Sequence, residues 1–328
     1  MHKRKCNAPF KQVKKAKKNN RFLPNEIMIE IFGYFGMKDT IIAGSVCKGW
    51  YEISRSPYLL KGKLLNLSHF KYEQKQTILL FLENMFHCRY ITNLSVNGFI
   101  DEEIIMKIFD FCPEIKNLEI KGPERLKDNY LRSISLASQG KLESLSIDAL
   151  FIFGYFVYED WLGIFQRFKN IKHFRINTLK SAITSQFGEE NLHRVIVQEC
   201  QNLISLELPY LHHKKKSNFF HTSPLKNLHL IIGERSYKEI PDYIENFPKL
   251  ENLVLDLVDN CYIPDIQCSD SLKMIKVNCT ILKWGHINQL HMMDRSKIKI
   301  YYNCFLTMGI RGNNNCEIFA LDHIIKKI

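Results

Sequence analysis

Apolar residues recur along most of the chain in one short pattern: an apolar residue, two variable residues, a second apolar residue, one variable residue and a third apolar residue. The first copy is Ile91-Leu94-Val96. Seven more well-formed copies begin at Ile115, Leu142, Ile171, Leu203, Leu225, Leu250 and Leu272. A degraded ninth copy ends in Ile298 and Ile300. The alternation that closes each copy predicts a strand with one buried face.

The spacing of the copies indicates a repeat protein. The central residues lie at positions 94, 118, 145, 174, 206, 228, 253, 275 and 298. Leucine-rich repeats have periods of about 20 to 29 residues, and nearly all of these intervals fit. Helix-period segments, such as 102–111, 192–199 and 237–247, separate the copies. Each unit is too small to bury its apolar face alone, so the sequence predicts an α/β solenoid, a horseshoe with parallel strands on its concave face.

One variable residue of each copy lies between two core residues and is therefore predicted to face the concave surface. These residues are Ser95, Glu119, Ser146, Arg175, Glu207, His229, Val254, Lys276 and Lys299. Flanking positions hold Lys121, Asp148, Asn177, Asp256, Asn278 and Tyr301. We predict substrate contacts at Glu119, Arg175, Glu207, His229, Lys276 and Tyr301. Arg175 and Tyr301 are favoured because Arg and Tyr are enriched at interface hot spots.

Two insertions between copies offer further surfaces. Residues 149–165 are unusually aromatic, and the prediction is that their aromatic side chains pack in the core, with an exposed ligand-binding loop as the alternative. Those side chains belong to Phe151, Phe153, Phe156, Trp161 and Phe165. Residues 212–216, His-His-Lys-Lys-Lys, are predicted to form an exposed basic loop.

The cysteines do not indicate metal or thiol chemistry. Cys88, Cys112 and Cys200 each lie three residues before a copy, where Phe168 and Phe247 stand in other copies, so the slot is a buried spacer. No C-x-x-C pair occurs, and we expect free thiols, no metal and no cofactor. No nucleophile, metalloprotease or dinucleotide motif occurs either, and we expect no catalytic residues and no enzymatic activity.

Residues 22–69 do not follow the repeat and are predicted to form a compact helical unit. Pro24 suits the first turn of a helix whose apolar face is Ile27, Ile31 and Tyr34 and which Gly36 ends. Asp39 is the predicted N-cap of a second helix. That helix carries Ile42, Val46 and Trp50, and Pro57 interrupts it.

This segment resembles an F-box. The matching residues are Leu23-Pro24-x-Glu26, Ile31-Phe32, Tyr34, Asp39 and Val46-Cys47-Lys48-x-Trp50, with Phe35 and Thr40 standing where leucines are usual. An F-box followed at once by leucine-rich repeats resembles the F-box/leucine-rich-repeat substrate receptors of SCF-type ubiquitin ligases. The resemblance covers residues 22 to about 300.

The resemblance implies a function and a set of contacts. F-box proteins dock onto a Skp-type adaptor, which joins a cullin–RING ubiquitin ligase, and the repeats hold the protein substrate. The adaptor contacts carried over are Leu23, Pro24, Ile27, Ile31, Phe32, Val46 and Trp50. Since three small helices also need a core, we expect about half of these residues to serve the core.

Most of the net positive charge lies in the N-terminal residues. The 328 residues carry a formal net charge of +12, and residues 1–21 hold nine Lys and Arg and no acid, which leaves 12 − 9 = +3 for the rest. A solvated disordered arm, a nuclear import signal and a phosphate-binding arm all fit this tail. The body, which is nearly neutral, is expected to select the partner.

The predicted organisation is a basic tail at 1–21, an F-box at 22–67, leucine-rich repeats at 68–302 and a C-terminal cap at 303–328. With no secretory signal or membrane span in the sequence, we expect the cytosol or the nucleus. Two alternatives to a ligase receptor stay open. One is a repeat scaffold acting outside a ligase, and the other is a nuclear protein that associates with nucleic acid through its tail.

Overall fold

The computed structural model describes residues 23–70, 74–84, 88–98, 101–122, 125–149, 151–153, 158–178, 189–210, 223–232, 243–244, 247–257, 270–282 and 298–307. The chain divides into two compact units between Leu59 and Leu60. The basic tail, the 212–216 loop and most of the predicted cap lie outside the described residues. In the part of the chain that is described, no helix is long and apolar enough to cross a membrane.

The first unit is built from short helices. They are α1 (Asn25–Gly33), α2 (Met37–Gly44) and α3 (Lys48–Ser54), followed by α4 (Pro57–Leu60). The prediction of one long second helix starting at Asp39 is wrong. Gly36 caps α2, and the chain leaves the helix at Ser45 and re-enters one at Cys47, whose extended backbone (φ −159°) begins α3. At the end of α2, the Ile42 carbonyl accepts from both the Ser45 backbone N–H at 3.0 Å and the Ser45 hydroxyl at 2.7 Å.

An aromatic cluster holds these helices together. Phe32 has no exposed surface, and its ring lies 5.3 Å from that of Phe35 and 5.4 Å, edge-on, from that of Trp50. The core is completed by Met28, Ala43, Ile53 and Leu59. A Cβ atom at Gly44 would overlap the Ser54 side chain, so the close approach of α2 and α3 requires glycine there.

The second unit is an α/β solenoid around a parallel sheet, of which the structure describes ten strands. Its strands are β1 (Leu64–Leu67), β2 (Asn93–Asn97), β3 (Asn117–Lys121), β5 (Ser144–Ala149), β7 (His173–Thr178), β8 (Ser205–Tyr210), β9 (Asn227–Ile232), β10 (Asn252–Leu257), β11 (Met274–Leu282) and β12 (Lys299–Thr307). Neighbours in the sheet follow the order of the chain, and each pair is parallel. A second, two-stranded sheet joins β4 (Arg125–Lys127) to β6 (Phe151–Phe153). The predicted helical module followed by a repeat sheet is confirmed.

In the described ranges, five helices alternate with these strands. They are α5 (Lys75–Asn84), α6 (Glu102–Phe111), α7 (Asp128–Ala137), α8 (Tyr158–Phe165) and α9 (Glu189–Glu199). The α6 helix has the predicted bounds, because Asp101 caps it by accepting from the Ile104 N–H and an apolar stripe covers one face. The core between helices and sheet is seen at α8, where the Phe165 ring lies 5.2 Å from that of Phe174 on β7.

The sheet begins one strand earlier than the repeat pattern predicts. Leu65 and Leu67 of β1 pair in register with Leu94 and Val96 and are equally buried. The first apolar position of this copy falls on Gly62, three residues before Leu65, and that substitution hides the copy from a pattern search. The segment 64–67, which the predicted boundaries assign to the F-box, therefore pairs with the sheet.

The ninth copy was placed in the wrong register. Ile275 and Val277 pair with Ile300 and Tyr302, so the central residue is Ile300 and not Ile298. The shift is two residues, and a strand has a period of two, so the same side chains still face outward. Tyr301 therefore joins the row of outward residues, and Lys299 moves to the flanking position.

The predicted spacer slot is buried throughout. Cys88, Cys112, Phe168, Cys200 and Phe247 are each at most 2% exposed. The cysteines whose side chains are described are all free thiols, as predicted. Burial raises the pKa of the Cys200 thiol to about 12, so this group stays protonated and packs as a small hydrophobe.

Replacing Phe165 tests how tightly this core is packed. Phe165 is fully buried between Phe168 and Phe174, with ring centroids 5.9 and 5.2 Å away. We expect Phe165→Ala to lower the free energy of unfolding by about 3 to 5 kcal/mol, measured by urea denaturation. Lys169→Ala, at an exposed turn nearby, should change it by less than about 0.5 kcal/mol. Equal stability of the two variants would contradict this packing.

Candidate functional site

The helices of the first unit expose an unusual amount of apolar surface. Leu23 is 54% exposed, Val46 is 64% exposed, and Ile27 and Ile31 of α1 are about two-fifths exposed. Met28 and Phe32 form the buried stripe of α1, and Ile27 and Ile31, four residues apart, form a second stripe that faces solvent. Clustered apolar side chains left in water on a small unit mark an interaction surface.

The predicted adaptor contacts divide into two groups. Leu23, Pro24, Ile27, Ile31 and Val46 are exposed and available to a partner. Phe32 is fully buried, which corrects its prediction as a contact: its side chain supports the surface from the core.

Trp50 is half-buried, with its ring edge against Phe32. We therefore define the docking face as Leu23, Pro24, Ile27, Ile31 and Val46.

Thr40 does not weaken this surface, although a leucine is usual at its position. Its side chain is 1% exposed, and its hydroxyl donates to the Gly36 carbonyl at 2.9 Å. The hydroxyl is therefore satisfied within α2, and Thr40 belongs to the interior of the unit.

On the second unit, strand register brings the predicted substrate residues into one line across the sheet. We call it the polar row: Asn66, Ser95, Glu119, Ser146, Arg175, Glu207, His229, Val254, Lys276 and Tyr301. All six predicted contacts lie on it, each on its own strand. Asn66 is missing from the predicted row because its copy of the repeat has Gly62 in place of the first apolar residue. The assignment of Lys299 to this row is wrong, because of the two-residue shift of the ninth copy.

A continuous set of polar contacts occupies the centre of the row. Arg175 Nε donates to Glu207 Oε1 at 2.8 Å, and its Nη2 lies 3.8 Å from Asp148 Oδ1. His229 bridges two carboxylates, with Nδ1 3.1 Å from Glu207 Oε2 and Nε2 3.1 Å from Asp256 Oδ2. Asn278 Nδ2 donates to Asp256 Oδ1. The central polar network thus comprises Asp148, Arg175, Glu207, His229, Asp256 and Asn278.

The network shifts the pKa values of its members. Burial by itself lowers the pKa of His229, but the carboxylates of Asp256 and Glu207 outweigh it and raise that pKa to about 9. Burial by itself raises the pKa of Glu207, and His229 and Arg175 reverse this, so that its pKa lies below the ordinary value. At neutral pH, His229 is therefore a cation held between two carboxylate anions.

A second set of charges lines the rim where the strands begin. Glu143 accepts from Lys116 Nζ at 2.5 Å and from Lys172 Nζ at 2.7 Å, and these two bonds lower its pKa to about 2. Lys141 Nζ lies 2.9 Å from Glu114 Oε1. These side chains line an open cavity of about 400 Å³ together with Asn170. Because its lysines are paired with glutamates, the rim joins neighbouring repeats and offers little charge to a ligand.

The last two strands of the row differ from its centre. Lys276 of β11 and Tyr301 of β12 are paired in register, and Tyr301 is 41% exposed. Neither β11 nor β12 contains Asp or Glu. Among the described residues, Lys276 and Lys299 form no ion pair.

The aromatic insertion, another predicted surface, is described only in part. In the aromatic insertion, Trp161 and Phe165 are buried, as predicted, while the side chains of Phe151, Phe153 and Phe156 lie outside the described residues. Within the described ranges, no three His, Cys, Asp or Glu side chains are grouped as metal ligands.

Comparison with known proteins identifies the first unit. Residues 21–64 match the family model described as F-box-like. The chain therefore carries an F-box-like domain ahead of its repeats, as predicted. A comparison with curated proteins gives no match.

Two solved structures are similar to the chain at low identity. A chain of the crystal structure of the Rad7 and Elc1 complex in yeast has a TM-score of 0.46 and 17% identity, over 85% of this chain and 68% of that one. A chain of the TLR13–ssRNA13 complex has a TM-score of 0.38 and 15% identity, over 76% of this chain and 34% of that one.

Phe32 and Ile27 separate the core role from the surface role. Phe32→Ala removes a buried ring that contacts Phe35 and Trp50, and we expect it to lower the free energy of unfolding of the first unit by about 3 to 5 kcal/mol. Ile27→Ala trims an exposed side chain and should change it by less than about 0.5 kcal/mol. Urea unfolding followed by tryptophan fluorescence measures both. A large loss with Ile27→Ala would place that residue in the core instead.

Replacing His229 tests the central polar network. The His229 pKa is raised from 6.5 to about 9, so the stability it contributes is complete below pH 6.5 and is lost as the pH rises through 9. We expect His229→Gln to lower the free energy of unfolding by about 1 to 3 kcal/mol at pH 6.5, and by progressively less towards pH 9. Urea denaturation over this range measures the difference, with His173→Gln, an exposed histidine on β7, as the control. A difference that does not change with pH would contradict the ion pairs.

Proposed function

We propose that the chain is the non-catalytic substrate-recognition subunit of an SCF-type ubiquitin ligase, built from a Skp-type adaptor, a cullin and this F-box protein. The observation that carries the proposal is the F-box-like match at residues 21–64, on helices whose docking face is exposed and apolar. The repeats supply the other half, a surface for a protein substrate: the polar row, most of whose side chains are partly exposed, with Asn66 and Tyr301 exposed and Ser95 buried.

The docking face suits a partner that covers apolar side chains. Burying an exposed Leu or Ile side chain contributes about 1.5 to 3 kcal/mol when burial is complete, and less from a half-exposed start. Leu23, Ile27, Ile31 and Val46 each have apolar surface left to bury, and Pro24 is the N-cap residue of α1. Phe32 and Trp50 act beneath them by holding α1 against α3.

No covalent step takes place on this chain in the proposed reaction. Its contribution is to hold the substrate near the ubiquitin-carrying enzyme, which raises the effective concentration of the substrate's lysines. Neither a metal nor a cofactor is required for that role. The proposed sites of action are the cytosol and the nucleus, where the basic N-terminal clusters would serve import.

Charge placed on the docking face tests the proposal. In co-purification and binding assays with a Skp-type adaptor, Leu23→Asp with Ile27→Asp should weaken binding by about 2 kcal/mol or more, because two carboxylates would have to be desolvated. Leu80→Asp, which alters a leucine of matching exposure (56%) on α5, should bind normally. Circular dichroism of each variant checks that the fold is retained.

Three results would count against a ligase subunit. The intact chain would fail to bind the adaptor, the docking-face variant would bind as well as the parent, or partner levels in cells would not respond to deletion of residues 22–60. The last result, together with retained partner binding, would favour a repeat scaffold that acts outside a ligase.

A further inference from the structure

Two lysines at the end of the polar row form no ion pair with any residue that the structure describes. We call Lys276, Lys299 and Tyr301 the basic end. Lys276 and Tyr301 are directly paired across β11 and β12, and Lys299 lies two residues before Tyr301, on the same face of β12. Lys299 and Tyr301 are exposed, and Lys276 is half-buried. The three side chains therefore point to the same side of the sheet at its C-terminal end.

The basic end contrasts with the rest of the row in how its cations are paired. Arg175 is bonded to Glu207, His229 lies between Glu207 and Asp256, and Lys121 lies 3.2 Å from Glu119. Lys276 and Lys299 form no ion pair with a described residue, and their strands contain no Asp or Glu. Within the described part of the chain, the two ammonium groups and the phenol hydroxyl can therefore donate hydrogen bonds to a ligand.

We propose that the basic end binds an acidic segment of the protein held on the polar row. The proposal rests on the proposed function, since it takes that face as the substrate face. Carboxylate or phosphate oxygens of the segment accept charge-assisted hydrogen bonds from Lys276 and Lys299 and a hydrogen bond from the Tyr301 phenol. Tyr301 also offers an exposed aromatic face for the neighbouring side chains of the segment.

The centre of the row does not compete for such a segment. The central polar network contains three carboxylates, Asp148, Glu207 and Asp256, against two cations, Arg175 and protonated His229, a net charge of 2 − 3 = −1. An acidic ligand there would have to break ion pairs that already satisfy Arg175 and His229. Charge complementarity therefore directs an acidic segment to the C-terminal end of the row.

The test uses the full chain, alone and mixed with a Skp-type adaptor, and a random library of short peptides. We expect the parent protein to enrich peptides rich in Asp and Glu. We expect Lys276→Glu with Lys299→Glu to weaken binding of an enriched peptide at least about tenfold. Tyr301→Phe should weaken it by a smaller factor through loss of the phenol donor. Resynthesis with Glu or with phosphoserine at the acidic positions identifies the preferred anion, and tighter binding in either form supports the proposal.

Lys169→Glu with Lys249→Glu is the matched control. Both residues are exposed lysines in turns away from the polar row, and the change in net charge is the same. This control should bind the acidic peptide as the parent does. Lys276→Gln with Lys299→Gln, which introduces no repulsion, should also lose affinity, and unfolding curves check that each variant is folded.

Several results would overturn the proposal. In one, the parent protein does not enrich acidic peptides. In another, the control pair of substitutions weakens peptide binding as much as the test pair does. In a third, the preference for acidic peptides is unchanged after Lys276 and Lys299 are both replaced by Glu. The proposal would also be overturned if these lysines bound a single-stranded RNA oligonucleotide and the chain did not select acidic peptides. Adaptor binding is measured on the same samples. Adaptor binding without acidic selection defeats this inference alone, and acidic selection without adaptor binding defeats only the proposed function.

Discussion

Register between neighbouring parallel strands is the constraint on which the second unit depends. Each ladder pairs core residue with core residue, as Leu94 with Leu118 and Leu118 with Leu145, so one face of ten strands is apolar without interruption. A slip by one residue would carry Glu119 or Arg175 into the core and expose leucines, at a cost of several kcal/mol. Burial of the apolar face therefore determines which backbone hydrogen bonds form between strands, and those hydrogen bonds determine where the outward side chains lie.

The same register produces an outward surface on which some charged side chains are paired and others are not. Where acids and bases alternate on adjacent strands, as from Asp148 to Asp256, the register brings them within 2.8 to 3.8 Å of one another and they form ion pairs. Where successive strands carry lysine and no acid, as in β11 and β12, no described residue forms an ion pair with those lysines. The first unit follows another rule: with few residues to form a core, α1 buries Met28 and Phe32 and leaves Ile27 and Ile31 in water.

Much of the fold of the second unit could be predicted from the sequence, because equivalent positions of a repeat become paired residues on neighbouring strands. Eight copies predicted eight strands and the row beside their leucines. The misses have local causes. Strand β1 was not predicted because Gly62 stands where the pattern requires an apolar residue. The ninth copy was centred two residues too early because Ile298, which is apolar and buried, fits the pattern as well. Phe32 was predicted as a contact since a family motif does not separate core from surface residues. The pairing of Arg175 with Glu207 joins residues 32 positions apart, which no local pattern records.

The central polar network also has a consequence for how the surface can change over time. Glu207 contacts both Arg175 and His229, and His229 contacts Asp256, so a substitution at any one of them leaves a neighbour with an unmatched charge. Changes there are mutually dependent and have to arrive in compensating sets. Lys276 and Tyr301 have no such ties to the network and can be exchanged one at a time. Single substitutions are therefore tolerated more easily at the end of the row than in its middle, where several residues have to change together.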